Sequence, residues 1–207
     1  MAQGMRGLFI TFEGSEGSGK STQARLLCRY LKSLGKDVLF IREPGSVKIS
    51  EVIRKVLLDV QNENMSPECE TLLYMAARAQ LVFEVIAPAL RKGKTVVSDR
   101  FLDSTIAYQG YGNGGDIDFI KELGKKVCLG IKPDITFLMD LSAHKGFSRK
   151  AKGLDRIERR ALYYHNRVRH GYLKIAQEEP KRVKVIRADA SREKIQEIIL
   201  GYVERLL

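Results

Sequence analysis

The sequence predicts an α/β fold, an open five-stranded parallel sheet with helices on both faces. Three observations lead there. Five short apolar runs lack polar alternation, as strands buried on both faces do. Longer helical stretches separate them, which is the pattern of a parallel sheet covered on both sides. A glycine-rich turn links the first apolar run to the first helical stretch.

The strands are expected at Leu8–Phe12, Val38–Ile41, Thr95–Ser98, Ile135–Met139 and Val183–Ile186, each bounded by turn-forming or charged residues. The first helix, Ser21–Leu34, ends at Gly35, a C-terminal stop. Ser66–Arg91 opens with Ser66 as N-cap and Pro67 in the first turn. Pro88 is expected to kink or fray its end before Gly93. Further helices are expected over Ser104–Gln109, Asp118–Leu129, Ile157–Glu178 and Arg192–Leu206. Gly110–Gly115 and Lys145–Arg156 read as mobile segments. With 207 residues and roughly 150 per domain, one domain is expected over 1–207. It is long enough to bury a core without metals or disulfides.

Apolar residues make up 44% and charged residues 29%, which argues against bulk disorder. No apolar run approaches the roughly 20 residues of a membrane helix. The opening MAQGMRGLFITFEG is not a secretory signal, because its short apolar stretch runs into Glu13. A cytoplasmic protein is expected. Cys28, Cys69 and Cys128 lie far apart with no C-x-x-C pattern, which excludes a disulfide framework or zinc ribbon. His144, His165 and His170 have no partner set for a protein-built metal site. The net charge of +11 raises the possibility of nucleic-acid binding. However, residues 145–187 hold 14 Lys/Arg against 4 Asp/Glu, and the rest of the chain holds 22 against 21. The excess sits in one segment and suits a polynucleotide or a small polyphosphate equally.

The strongest motif is Gly14-Ser15-Glu16-Gly17-Ser18-Gly19-Lys20-Ser21, which matches G-x-x-x-x-G-K-[ST] at every fixed position. Its glycines let successive N–H groups turn toward phosphate oxygens, and the helix that follows adds its positive dipole end. The fold class is therefore a three-layer P-loop NTPase fold. Lys20 is expected at the β- and γ-phosphates of a nucleotide and Ser21 at Mg²⁺. Nucleotide contacts are expected from Gly14, Ser15, Glu16, Gly17, Ser18, Gly19, Lys20, Ser21 and Thr22. Asp99, at the end of the third strand, is placed to hold the Mg²⁺ shell, partly through water. Arg100 aims a forked donor at the same crevice. If helical, Ser104 and Tyr108 share a face, as do Thr105 and Gln109, and such groups read the edge of a base. Tyr74 and Arg78 are also four apart, which suits a base and a phosphate or simply a half-buried tyrosine beside a solvated arginine. The Pro44-Gly45 turn presents Arg42 and Glu43 to the crevice, unless Glu43 simply pairs with an arginine.

ITFEGSEGSGKSTQ, REPG, LLYMAARAQ, SDRFLDSTIAYQGYG and LDRIE, in this order and spacing, resemble the bacterial thymidylate kinases. The resemblance runs from Phe9 to about Ala190 and implies transfer of the γ-phosphoryl group of ATP to dTMP, with Mg²⁺, in a homodimer that binds neither nucleic acid nor membrane. It implies that Arg78 and Arg100 bind the dTMP phosphate with Arg54 nearby, and that Tyr74 stacks on thymine. Thr105 and Gln109 would face the base, with Ser104 beside them. Tyr108 would pack by the deoxyribose, Glu16 would approach the 3′-hydroxyl, and Glu43 would line the site. Two positions depart from the family: Ser46 stands where a glycine is usual, and Tyr74 where a phenylalanine is usual.

The resemblance also makes about 145–157 a lid over ATP. Gly17 and Ser18 stand where some members carry a catalytic arginine, so the lid must supply that charge. Arg149 is the first candidate, with Arg156 and Lys152 behind it, and Arg187–Ala190 is expected to border adenine. Lys20, Asp99, Arg100 and Arg149 form the expected catalytic set. The acceptor is a phosphate oxygen, already ionised because the second pKa of a phosphomonoester is near 6, so no general base is needed. The residues alone leave open a kinase for another nucleoside monophosphate, a deoxynucleoside kinase, or a nucleic-acid-binding P-loop ATPase.

Overall fold

The computed structural model describes residues 7–149 and 155–207. Five strands, β1 (Phe9–Glu13), β2 (Val38–Arg42), β3 (Thr95–Asp99), β4 (Ile135–Asp140) and β5 (Val183–Arg187), form one sheet in the order β2-β3-β1-β4-β5. Every pairing is parallel. All five strands were expected, and each ends one residue later than the apolar runs do, on a charged residue: Glu13, Arg42, Asp99, Asp140 or Arg187. The hydrogen-bonded ladder outlasts the apolar pattern because its carboxyl edge opens onto a polar crevice.

Alternate residues of β1 feed opposite layers. Ile10 and Phe12 pack with α1 (Lys20–Ser33) and α9 (Arg192–Val203) through Leu27, Leu31, Ile195 and Ile199. Phe9 packs on the other face with Leu81, Ile86 and Val96. A third cluster joins Leu138 of β4 to α6 (Ile117–Val127) and α8 (Leu162–Glu178) through Ile120, Val168 and Tyr172.

Several helices differ from expectation. A helix α2 (Lys48–Leu58), which the sequence reading lacked, packs on α3 (Pro67–Leu81). Ser66 caps α3 by accepting from the Cys69 N–H at 3.2 Å. The helix expected over Ser66–Arg91 does run to Arg91, with Pro88 inside its last segment. A π-helical turn, Val82–Ile86, leads straight into α4 (Ala87–Arg91). The wider turn relieves the clash of the proline ring with the carbonyl one turn back. The helix expected at Ser104–Gln109 runs as α5 (Leu102–Thr105) and then a π-helix, Ile106–Gly112. Gly110 and Gly112, expected in a mobile stretch, are buried there. A Cβ on Gly112 would stand 2.7 Å from the Tyr164 ring, so close packing, not freedom, explains the glycine. A short helix α7 (Ala143–Ser148) opens the segment expected to be mobile, and residues 150–154 within it lie outside the described residues. Helix α8 begins at Leu162 instead of Ile157 because the Asp155 carboxylate accepts from the Ile157 and Glu158 N–H groups, both at 3.0 Å, and holds a turn there.

Several arginines of 145–187 are held in ion pairs. Arg169 makes a bidentate pair with Asp140, at 2.7 and 2.8 Å, and Arg182 pairs with Asp103 and Glu179. Arg156 and Arg160 share Glu70. All three cysteines are free; Cys28 and Cys128 are buried and Cys69 is exposed.

Candidate active site

The central β1 has β3 on one side and β4 on the other. At that reversal of strand order the carboxyl ends leave a crevice, and the phosphate-binding motif turns within it. Gly14, Gly17 and Gly19 take φ values of 131°, 68° and 86°, a region that side chains disfavour. At Gly14 and Gly17 an added Cβ would also collide with the carbonyls of Met139 and Gly146. Ser18 Oγ donates to the Ser15 carbonyl at 2.7 Å, and Ser15 Oγ donates to the Leu141 carbonyl at 3.1 Å. Lys20, buried at the start of α1, donates from Nζ to the Ser15 carbonyl at 2.8 Å. Burial, with Arg100 adding to it, pulls its pKa down to about 8. Ser21 Oγ donates to Asp99 Oδ2, which brings together the two residues expected at Mg²⁺. Thr22 follows them on α1 and is exposed.

A cavity of about 300 Å³ lies before this loop. Glu16, Lys20, Ser21 and Asp99 line it together with Glu43, Arg54, Tyr74, Arg78, Arg100, Ser104, Thr105, Tyr108 and Gln109. The structure thus brings to one place every residue expected at the acceptor. Arg54 reaches it from α2 and donates to the Pro44 carbonyl at 2.9 Å. Arg78 is buried; its Nε donates to Glu43 Oε2 at 2.8 Å and its Nη2 to the Phe101 carbonyl at 3.0 Å. Burial pushes the Glu43 carboxyl up against the pull of Arg78. Arg100 has a φ of 76°, a strained backbone of the kind that persists where function needs it. Its guanidinium pairs with Glu16, lies 5.1 Å from the Tyr108 ring centroid, and donates to Ser104 Oγ at 3.1 Å and to Tyr172 Oη at 3.2 Å.

Arg149 follows α7 and donates from Nη1 to the Ala188 carbonyl at 2.9 Å, on the segment expected to border adenine. Arg156 is corrected. Its side chain is buried, with Nε donating to the Leu57 carbonyl at 2.8 Å and Nη2 to Glu70 at 2.6 Å. A residue held that way is not a cation free to reach ATP. Lys152 lies outside the described residues.

A family model described as thymidylate kinase matches residues 12–199. A thymidylate kinase of Halothermothrix orenii is 50% identical, with 98% of this chain and 99% of that protein covered. The chain belongs to the thymidylate kinase family. A further thymidylate kinase, from an Exiguobacterium species, is 47% identical over 98% of this chain and 97% of that protein. The crystal structure of thymidylate kinase from Ehrlichia chaffeensis matches with a TM-score of 0.79 at 34% identity, covering 96% of this chain and 99% of that one.

Against the thymidylate kinase pattern, Ser46 keeps a glycine-like backbone, with φ at 73°. Its N–H donates to Glu51 Oε1 at 2.7 Å, and its hydroxyl bonds Arg42 twice, accepting from the N–H at 2.9 Å and donating to the carbonyl at 3.0 Å. These contacts offset the cost of a left-handed serine.

Sequence reasoning missed Glu13 and Tyr172. Glu13 is buried at the end of β1. It accepts from the Phe101 N–H at 2.7 Å, Ser104 Oγ at 2.6 Å and Tyr172 Oη at 3.0 Å, and so braces the segment that carries Arg100. A charged residue closing an apolar strand was the available signal for Glu13; nothing local marks Tyr172. Burial, then Asp103, pushes the Glu13 carboxyl up to about 7. A carboxyl raised on folding stabilises the folded state fully below its ordinary value, and that contribution is lost as pH rises through about 7. The stability of wild type relative to Glu13→Gln is therefore expected to decline between about pH 5 and about pH 8. Urea unfolding across that range checks this, and a flat difference overturns it.

Proposed function

We propose that this chain transfers the γ-phosphoryl group of ATP to dTMP, giving ADP and dTDP for dTTP synthesis. The observation that carries this reading is the cavity before the phosphate loop, where Arg54, Arg78 and Arg100 converge beside Tyr74, Thr105 and Gln109. A phosphomonoester linked to a flat base matches that combination of cations, ring and amide.

ATP lies along Gly14–Thr22 with the loop N–H groups and Lys20 on its phosphates, and Arg149 adds positive charge from the donor side. Arg78 and Arg100 hold the dTMP phosphate, with Arg54 near it. Tyr74 stacks on the base, Thr105 and Gln109 read its edge, and Ser104, Tyr108, Glu43 and Glu16 complete the sugar and phosphate surroundings. Glu16 and the phosphate compete for Arg100, so seating the nucleotide turns Glu16 toward the 3′-hydroxyl. Ser21 and Asp99 fit Mg²⁺: both offer oxygen, and they already meet through a hydrogen bond. Mg²⁺ held there would offset charge on the β- and γ-phosphates. An ionised oxygen of dTMP forms the new bond to the γ-phosphorus, and the bond to the β,γ-bridging oxygen breaks, leaving its electron pair on ADP. The protein's part is alignment and charge stabilisation, with no general base.

The whole chain forms one nucleoside-monophosphate-kinase domain with its lid over about 145–157. It works in the cytoplasm as a homodimer, without nucleic acid or membrane. Ile49, Val52 and Val56 on α2, and Leu72 on α3 with Phe83 beyond it, are exposed apolar side chains on two packed helices, the kind of face a second copy covers. A single-chain mass in sedimentation would overturn the dimer. Among the described residues one helix, Pro67–Arg91, is long and apolar enough to cross a membrane by length and composition. It carries Glu70 and Arg78, both buried in ion pairs inside the protein, and serves as a core helix.

The deciding assay is ADP release from Mg·ATP with dTMP, dUMP, dCMP, dGMP, AMP and thymidine. Turnover with dTMP, less with dUMP and none with thymidine is expected. Turnover preferring another monophosphate overturns the base assignment, and acceptor-independent hydrolysis overturns the kinase reading. In the same assay Arg149→Ala is expected to lower kcat much more than it raises the dTMP KM; an unchanged kcat removes that residue from catalysis.

A further inference from the structure

Glu70 lies in the first turn of α3 with none of its surface exposed. It has no part in the reading above, yet it accepts four hydrogen bonds. Oε1 accepts from Gln109 Nε2 at 2.9 Å and Asn113 Nδ2 at 3.0 Å. Oε2 accepts from Arg156 Nη2 and Arg160 Nη2, both at 2.6 Å. Burial opposes the charge, but Arg160, the Gln109 amide and Arg156 outweigh it and hold the carboxyl below its ordinary value.

An ionised carboxylate only accepts hydrogen bonds. The Gln109 carboxamide must therefore turn its NH₂ group toward Glu70. Its carbonyl oxygen and second N–H are left to the cavity that Gln109 lines. Rotating the amide by half a turn would set its oxygen against the carboxylate. Beside it, Thr105 lines the same cavity with a buried hydroxyl that has no partner among the described residues. A 4-oxo pyrimidine offers an N3–H donor beside an O4 acceptor, whereas a 4-amino pyrimidine offers an acceptor beside a donor. An amide free to rotate serves either base; one locked by a carboxylate serves only one.

We infer that Glu70 is a specificity-determining positioning residue, which fixes the donor and acceptor order of Gln109 and so selects a 4-oxo over a 4-amino pyrimidine monophosphate. Arg156 and Arg160 keep it ionised for that purpose. The inference rests on the dTMP reading of the site.

The test compares kcat/KM for dTMP and dCMP in wild type, Glu70→Gln, Gln109→Leu and the double variant. A glutamine at 70 both donates and accepts, so Gln109 is released to rotate. The dTMP-to-dCMP ratio is expected to fall about tenfold, through KM and not kcat, with the KM for ATP unchanged. Because Glu70 acts through Gln109, the double variant is expected to show the same ratio as Gln109→Leu alone. Glu70→Gln leaves buried Arg156 and half-buried Arg160 facing a neutral side chain. If it does not fold, Glu70→Gln/Arg160→Gln, which keeps the net charge of the cluster, is measured in its place. An unchanged ratio in the folded variant, or an effect that adds to that of Gln109→Leu, overturns the inference while dTMP turnover by wild type leaves the substrate reading standing. A wild type inactive on dTMP overturns both.

Discussion

Replacing Lys20 by methionine is expected to lower kcat by about a thousandfold or more while leaving the protein at least as stable as wild type at neutral pH. The two effects share one cause. Lys20 is buried at the mouth of the phosphate loop, where its ammonium faces the Ser15 carbonyl and has Arg100 nearby. Folding pulls its pKa from 10.5 down to about 8, so the charged form is less at ease in the folded protein than in water. The sign follows from linkage. The destabilisation is complete below about pH 8 and fades as pH rises through the ordinary lysine value. Methionine keeps most of the volume and removes the charge. Wild type and Lys20→Met are thus expected to converge in stability above about pH 10, read by chemical denaturation, while single-turnover phosphoryl transfer reports the lost charge stabilisation. A variant that keeps its rate would show that the loop N–H groups suffice. A variant markedly less stable at pH 7 would show that Lys20 serves the fold.

The same division between local and distant information decides how much of the molecule was legible in its sequence. The strands were legible because parallel strands buried on both faces read as uninterrupted apolar runs. Their last residues were not, since Glu13, Arg42, Asp99, Asp140 and Arg187 break that pattern while remaining in the ladder. Helix α2 escaped because its N-cap, Val47, makes no side-chain cap, and because Ile49, Val52 and Val56 stay exposed instead of in the core. The π-helix over Ile106–Gly112 escaped because its glycines read as a loop, and only Tyr164 and Val168, more than fifty residues away, show why Gly112 must be small. In the site, Gly14–Ser21 and the Arg100–Gln109 segment were legible as short motifs with one job each. Glu13 with Tyr172, 159 residues apart, and Glu70 with Arg156, 86 apart, were not, because a hydrogen bond between distant elements leaves no local spacing to read. Arg156 illustrates the consequence: in sequence it belongs to a basic lid, and in the fold it is the counter-charge of a buried carboxylate.

Arg78→Ala is expected to be the most damaging substitution at the acceptor side, for two separable reasons. Arg78 and Glu43 form an ion pair with only 2% and 4% of their side chains exposed. One oxygen of Glu43 already lacks a partner among the described residues. Removing the guanidinium leaves that carboxylate in a low-dielectric site with nothing opposite it, a loss of about 3–5 kcal/mol. Burial already pushes the Glu43 carboxyl up and only Arg78 pulls it back, so the variant raises it further. A carboxyl raised on folding costs nothing while protonated. The stability deficit is therefore expected to narrow toward acid pH and widen toward alkaline pH, as urea unfolding at several pH values would show. The second reason is functional: one of the cations proposed for the dTMP phosphate is gone, and kcat/KM for dTMP is expected to fall about a hundredfold, the worth of a charge-assisted hydrogen bond. Glu43→Leu/Arg78→Leu separates the two. Filling the site with two apolar side chains removes the unpaired charge and is expected to restore most of the stability, but the KM for dTMP is expected to stay high because no guanidinium has returned. If the double variant recovers both, Arg78 is a structural residue and the phosphate belongs to Arg54 and Arg100 alone. If it recovers stability only, the buried pair is the means by which the fold presents a fixed guanidinium to the substrate.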